Sequence, residues 1–202
     1  MKLRIKKFAI IMGVLLLCLG FKENLVSVQA ASGATEKAAE KTVKSCWVKK
    51  NGAYYYYNSK GKLLRNGIYK INGTLYHFDK AGKRTSAKYN TNVFYYTFDK
   101  KTGKNTSIYT YLTVENVSPD FSSITGSRVE RVGSTKAYKK ETYRISAGTA
   151  RIYDKSGKKI SCASLKKGDM IKVFTKSDYI KESAPAQFGP ITKIRVVKTT
   201  AK

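Results

Sequence analysis

The stretch that decides the fold is NGAYYYYN (51–58), which returns 21 residues later as NGTLYHFD (72–79). A looser third copy follows as NVFYYTFD (92–99). A glycine follows each copy three or four residues after its end, and these glycines, Gly61, Gly82 and Gly103, are also spaced by 21 residues. A spacing that is kept over three copies is typical of a repeat architecture.

Each copy has the sequence of a short β-hairpin. Asn-Gly favours a tight hairpin turn, because both residues adopt positive φ readily. The aromatic residues that follow favour a strand, and the glycine at the end of the copy predicts a second turn. One isolated hairpin is marginally stable at best, so successive hairpins are expected to stack and to bury their rings between them.

Trp47, Gly52, the tyrosines that follow and Gly61 together resemble the cell-wall-binding repeat of Gram-positive surface proteins. This repeat family includes the choline-binding and glucan-binding modules, and the resemblance extends over residues 46–103. It implies a solenoid of stacked hairpins in which aromatic residues of neighbouring hairpins bind a wall ligand.

The resemblance implies that Trp47, Tyr54 and Tyr76 are the ligand-binding residues, grouped at the junction of the first two repeats. Rings of this kind bind quaternary ammonium groups by cation–π attraction, and they also pack against sugars. Ile68 and Leu75 stand where the family has tryptophans, so choline binding is doubtful. The expected partner is wall polysaccharide or a teichoic-acid-like anionic polymer. The alternative interpretation is that these rings form only the solenoid core.

The second half of the chain has the pattern of a small β-barrel. Short β-rich runs recur at residues 108–114, 124–132, 142–145, 150–153, 170–175 and 191–197. LKKGDMIKV (165–173), ESAP (182–185) and ITKI (191–194) loosely resemble small OB-like domains of secreted bacterial proteins. The predicted fold class is therefore all-β, with stacked β-hairpin repeats (46–105) followed by a small antiparallel, OB-like β-barrel (106–202).

The N-terminus has the pattern of a signal peptide. Four basic residues precede an apolar run at residues 8–21, which is shorter than the roughly 20 residues that span a bilayer. Val28-Gln29-Ala30 has the spacing of a cleavage site. These features predict a signal peptide (1–30), a linker (31–45) and a secreted, cell-wall-associated protein with no membrane span after cleavage.

Charge indicates the class of partner. Lys and Arg total 40 against 13 for Asp and Glu, which gives a net charge of +27. A strongly basic protein favours partners that carry phosphate or carboxylate groups. Nucleic acid bound by a cationic barrel is one alternative partner, but export disfavours it.

The sequence offers little material for catalysis. His77 is the one histidine and lies inside a repeat, so a nucleophile has a single potential base. We therefore expect a non-catalytic binding protein without cofactor or metal; the alternative is a wall-tethered enzyme with an unrecognised site. Cys46 and Cys162 could form a disulfide or could be two small buried side chains.

Overall fold

A computed structural model describes residues 43–132, 137–148 and 150–200, and their regular secondary structure is almost entirely β-strand. The exception among them is one 3₁₀ helix, Cys162–Ser164. The predicted all-β class is therefore confirmed. None of the described helices is long and apolar enough to span a bilayer. The predicted signal peptide and most of the predicted linker lie outside the described residues.

The chain forms two compact units, the first ending at Thr85 and the second beginning at Ser86. In the first unit, β1 (Cys46–Lys50) pairs with β2 (Ala53–Tyr57) in an antiparallel hairpin. A three-stranded antiparallel sheet follows in the order β3 (Gly67–Ile71), β4 (Thr74–Phe78) and β5 (Arg84–Thr85).

The turns of the two hairpins share one backbone conformation. Asn51 and Gly52 have φ values of 51° and 73°, and Asn72 and Gly73 have 47° and 80°. Positive φ at both central residues matches the right-handed twist of the flanking strands, which is why Asn-Gly is favoured there. The repeated dipeptide thus sets the same turn twice.

A second local motif accounts for the glycine spacing. The side-chain oxygen of Asn58 accepts hydrogen bonds from the backbone N–H groups of Lys60 and Lys62 at 3.0 and 2.9 Å. Asp79 accepts the equivalent pair one repeat later, at 2.9 Å each. Each Asx turn reverses the chain, which then pairs back on the preceding strand: Leu63 on Tyr57 and Arg84 on Phe78. Hairpin and Asx turn together make the 21-residue unit.

Both hairpins contribute to one aromatic core in the first unit. Its members are Ile71, Tyr76 and Phe78, with Trp47, Tyr56, Leu64 and Tyr69 packed against them. Phe78 is fully buried, and the ring of Trp47 stacks on it with centroids 5.8 Å apart. The first hairpin is therefore held on the second by ring packing.

The second unit contains ten strands in one sheet. They are β6 (Tyr89–Asn90), β7 (Tyr95–Phe98), β8 (Asn105–Val117), β9 (Ser123–Arg131), β10 (Tyr138–Ser146), β11 (Arg151–Tyr153), β12 (Met170–Thr175), β13 (Ile180–Lys181), β14 (Ala186–Phe188) and β15 (Ile191–Lys198).

The order of these strands differs from the predicted antiparallel barrel. The main path runs β11-β15-β12-β8-β9-β10-β14-β13, with β6 on β7 and β7 on β8. This path is open among the described residues, so no closed barrel is found there. β10–β14 and β11–β15 are parallel pairs. Both join strands far apart in sequence, where local turn signals give no information on direction.

The third sequence copy belongs to the sheet of the second unit. Its strand β7 pairs with β8, and Tyr95 lies opposite Tyr109. The predicted limit between the halves at residue 105 thus differs from the limit of the compact units at residue 85. β8 continues for 13 residues beyond the repeat turn, and this long strand links the third copy to the second unit.

Cys46 and Cys162 are buried, each within its own unit, and the described residues contain no disulfide. Cys46 is 6% exposed and begins β1, whereas Cys162 is 9% exposed and begins the 3₁₀ helix. Burial raises the pKa of the Cys162 thiol. The two side chains therefore have the character of small apolar core residues.

Gly82→Ala should destabilise the first unit more than Gly73→Ala. Both glycines have positive φ, which costs another residue about 1–2 kcal/mol. A Cβ at Gly82 would also lie 2.7 Å from Cδ2 of Leu63, adding about 1–3 kcal/mol of overpacking, whereas nothing lies within 4 Å at Gly73. Urea unfolding followed by fluorescence of Trp47, the single tryptophan, measures both losses. Equal losses would contradict the predicted clash.

Candidate functional site

The three predicted ligand-binding residues lie on three strands of the first unit. Trp47 is on β1, Tyr54 on β2 and Tyr76 on β4. The rings of Trp47 and Tyr76 meet edge to face with centroids 4.9 Å apart. Tyr76 is only 9% exposed, so little of its ring remains for a ligand. Trp47 and Tyr54 are half-buried, and solvent reaches part of each ring.

Arg84 places a cation against two of these rings. Its guanidinium carbon lies 4.3 Å from the ring centroid of Tyr54 and 5.7 Å from that of Trp47. A guanidinium in this range is attracted by the negative faces of the rings. The surface that would receive a quaternary ammonium group thus already holds a positive group of the chain itself.

Sequence reasoning missed Arg84, and the repeat pattern gives no signal for it. The residue two positions after the closing glycine is Leu63 in the first repeat and Arg84 in the second. Arg84 reaches the rings because β5 pairs with β4, where Arg84 lies opposite Phe78. This third strand is two residues long, and its counterpart in the first repeat is a single antiparallel bridge between Tyr57 and Leu63.

Ile68 and Leu75, which stand in place of tryptophans, lie within the second hairpin. Ile68 is paired opposite His77, and Leu75 opposite Lys70. The single histidine is therefore a cross-strand partner in a hairpin. The resemblance-based ligand role of Trp47, Tyr54 and Tyr76 stays a prediction.

A groove of about 380 Å³ in the first unit was not indicated by the sequence. Tyr56 and Tyr69 contribute ring surface to it, and Asn58 and Asn72 contribute polar groups. The hydroxyl of Tyr69 donates a hydrogen bond to the carbonyl oxygen of Arg65 at 2.7 Å, which orients that ring. Rings beside amides form a surface on which the apolar face of a sugar can pack.

A groove of about 620 Å³ in the second unit is lined by two carboxylates, Asp154 and Asp169, among other residues. Both act as backbone caps. Asp154 accepts a hydrogen bond from the N–H of Lys158 at 2.8 Å, and the Ser156 hydroxyl beside it holds its pKa below the usual value. Asp169 accepts one from the N–H of Lys166 at 2.9 Å. Among the described residues, no cluster of three or more potential metal ligands occurs.

Arg84→Ala should uncover ring surface for a quaternary ammonium group. Cation–π attraction contributes about 0.5–2 kcal/mol, so millimolar choline should change Trp47 fluorescence more in this variant than in the parent chain. Lys83→Ala is the matched control, since it removes the same charge from the exposed neighbouring position. An identical choline response in the parent chain and in both variants would show that Arg84 does not control access to the rings.

Comparison with protein-family models gives no match, and comparison with curated proteins gives none either. Among solved structures, the modular Cpl-1 endolysin complexed with a peptidoglycan analogue aligns with 45% of this chain at 17% identity, with a TM-score of 0.29. The modular autolysin LytC from Streptococcus pneumoniae aligns with 55% of this chain at 18% identity, with a TM-score of 0.19. Alternansucrase in complex with isomaltononaose aligns with 71% of this chain at 18% identity, with a TM-score of 0.29. The chain spans 27% of the endolysin, 27% of the autolysin and 11% of alternansucrase. TM-scores of this size do not establish a common fold.

Proposed function

We propose that the protein is a secreted, non-catalytic binding protein of the bacterial cell wall. It attaches to wall polysaccharide or to an anionic wall polymer through the aromatic hairpins of the first unit and through its basic surface. The observation that carries this proposal is the pair of half-buried rings, Trp47 and Tyr54, on stacked Asn-Gly hairpins.

In this proposal the two hairpins are repeats of the cell-wall-binding type, and the second unit is an OB-like domain. Two features support the repeat assignment. The same Asn-Gly turn and the same Asx turn recur at the 21-residue period, and the rings of one hairpin pack on those of the next. Stacking of this kind is what repeat units need in order to bury their apolar surface.

The proposed ligand class is inferred from the net charge of the chain and from the position of Arg84. A net charge of +27 favours an anionic polymer, whereas the guanidinium on Tyr54 disfavours a cationic ligand such as choline at the same rings. Sugars remain compatible with these rings, because they pack through apolar C–H surface.

The absence of catalysis is also part of the proposal. Asp154 and Asp169, the carboxylates of the 620 Å³ groove in the second unit, are engaged by backbone N–H groups. His77 is embedded in a strand pairing of the first unit. A general acid–base pair needs carboxyl or imidazole groups that can reach a substrate, and the two carboxylates of this groove are committed to backbone caps.

Tyr54→Ala should weaken the part of wall binding that resists salt. Charge attraction between exposed groups is screened over roughly 8–10 Å at physiological salt, whereas ring packing persists. Sedimentation with purified walls at low and high salt separates the two contributions. Tyr179→Ala, at a tyrosine that is 60% exposed in the second unit, is the matched control and should leave both unchanged. Failure of the parent chain to sediment with walls at low salt would refute the proposed function.

A further inference from the structure

One row of aromatic and basic side chains crosses the sheet of the second unit. It consists, in register, of Tyr95 on β7, Tyr109 on β8, Phe174 on β12, Lys193 on β15 and Arg151 on β11. Directly paired residues of neighbouring strands project from the same face of a sheet. These five side chains therefore share one face.

The opposite face of the same strands is the core. Leu112, Ile171, Val173 and Ile194 alternate with residues of the row or of its neighbours, and each is at most 1% exposed. Since successive side chains of a strand point to opposite faces, the row lies on the side away from this core.

On this outer side the rings hold two lysines. The Nζ atom of Lys172 lies 3.6 Å from the ring centroid of Tyr109 and 5.0 Å from that of Phe174. The Nζ atom of Lys193 lies 4.1 Å from the centroid of Phe174. Tyr95 stacks on Tyr109 with centroids 5.4 Å apart and an interplanar angle of 12°. We call the five residues of the row together with Lys172 the basic face: Tyr95, Tyr109, Arg151, Lys172, Phe174 and Lys193.

The positive charge of the basic face has no compensating carboxylate among the described ion pairs. The three pairs involve Arg128, Lys139 and Lys140, none of which belongs to this face. Burial, followed by the nearby charges of Lys193, Lys88 and Arg195, lowers the pKa of Lys172. Its ammonium group therefore stands in an uncompensated positive field, which an anion would relieve.

A groove of about 240 Å³ adjoins the row and supplies hydroxyl groups. Arg151, Phe174 and Lys193 line it together with Ser107 and Thr175. Thr175 is 7% exposed, and its hydroxyl oxygen is buried without a hydrogen-bond partner. Thr175 directly follows Phe174 on β12 and pairs with the buried Ile108, so its side chain points to the core side of the sheet. Ser107, two residues from Tyr109 on β8, is half-buried and offers its hydroxyl on the side of the row.

We propose that the basic face and its groove bind an acidic polysaccharide, a glycan whose sugars carry carboxylate or phosphate groups. The cations bind the acidic groups, and the groove hydroxyls bind sugar hydroxyls. The inference deepens the proposed function and rests on it, since it names the site and the ligand class through which the second unit contributes to wall binding.

The arrangement of the rings favours a glycan over a single-stranded nucleic acid. Base stacking needs open aromatic faces. Here Tyr109 is only 7% exposed, because Tyr95 covers one part of it and Lys172 lies over its ring. The ring of Tyr109 thus supports a cation instead of offering a platform for a base.

The first test measures calorimetric binding of polygalacturonate oligomers to the full chain. Lys172→Gln/Lys193→Gln should lower the affinity by roughly tenfold or more, as expected for the loss of hydrogen bonds between charged groups. Lys158→Gln/Lys166→Gln, at two exposed positions off the basic face, makes the same change in net charge and should have a much smaller effect. Equal losses in the two double variants would overturn the site in favour of general charge attraction.

Oligo(dT) of matched charge is the second ligand in this test. If it binds more tightly than polygalacturonate at the same salt concentration and depends more on Lys172 and Lys193, the basic face is a nucleic-acid site and the inference is wrong. Weaker oligo(dT) binding supports the glycan.

Ser107→Ala tests the groove separately. Alanine removes only the hydroxyl of a half-buried residue, so the chain should stay folded, while polygalacturonate affinity should fall roughly 2- to 10-fold. Unchanged affinity would exclude the groove from the site.

The inference and the proposed function can fail independently. If the parent chain sediments with walls but its affinity for polygalacturonate does not depend on Lys172 and Lys193, the inference fails and the function stands. If polygalacturonate binding depends on both lysines but walls are not bound, the function fails and the binding site stands.

Discussion

Ring packing between the two hairpins is the interaction on which the first unit depends. A two-stranded hairpin alone is marginal in water, and Trp47 joins the first hairpin to Tyr76 and Phe78 of the second. Burying one such ring contributes about 1.5–3 kcal/mol. This requirement divides the aromatic residues: the buried rings of Tyr76 and Phe78 offer little ligand surface, which leaves the outer parts of Trp47 and Tyr54 and the rings of Tyr56 and Tyr69 in the groove.

The hairpins of the first unit were predictable because their signals are local. The turn at Asn51-Gly52 and the one at Asn72-Gly73 depend on neighbouring residues, and so do the Asx turns that set the period. Arg84 was not predictable, since its contact with Tyr54 requires the short strand β5 to pair with β4. The first repeat makes the equivalent bridge between Tyr57 and Leu63, but only the second repeat has an arginine at that position.

In the second unit the sequence indicated strands but not their neighbours. Alternation and turn residues mark a strand, whereas the partner of a strand depends on contacts across the whole unit. Tyr109 and Phe174 are 65 positions apart in sequence, yet they are paired directly and their ring centroids are 5.7 Å apart. The basic face therefore exists only through register and could not be found from spacing.

Cation–π contact has opposite consequences in the two units. In the first, Arg84 lies on Tyr54 and occupies ring surface that a cationic ligand would need. In the second, Tyr109 and Phe174 hold Lys172 and Lys193 in place, so less side-chain entropy is lost when these lysines bind an anion. The same interaction thus disfavours a cationic ligand at one site and prepares the other for an anionic one. Both effects favour an anionic polymer over choline, and neither requires a catalytic group.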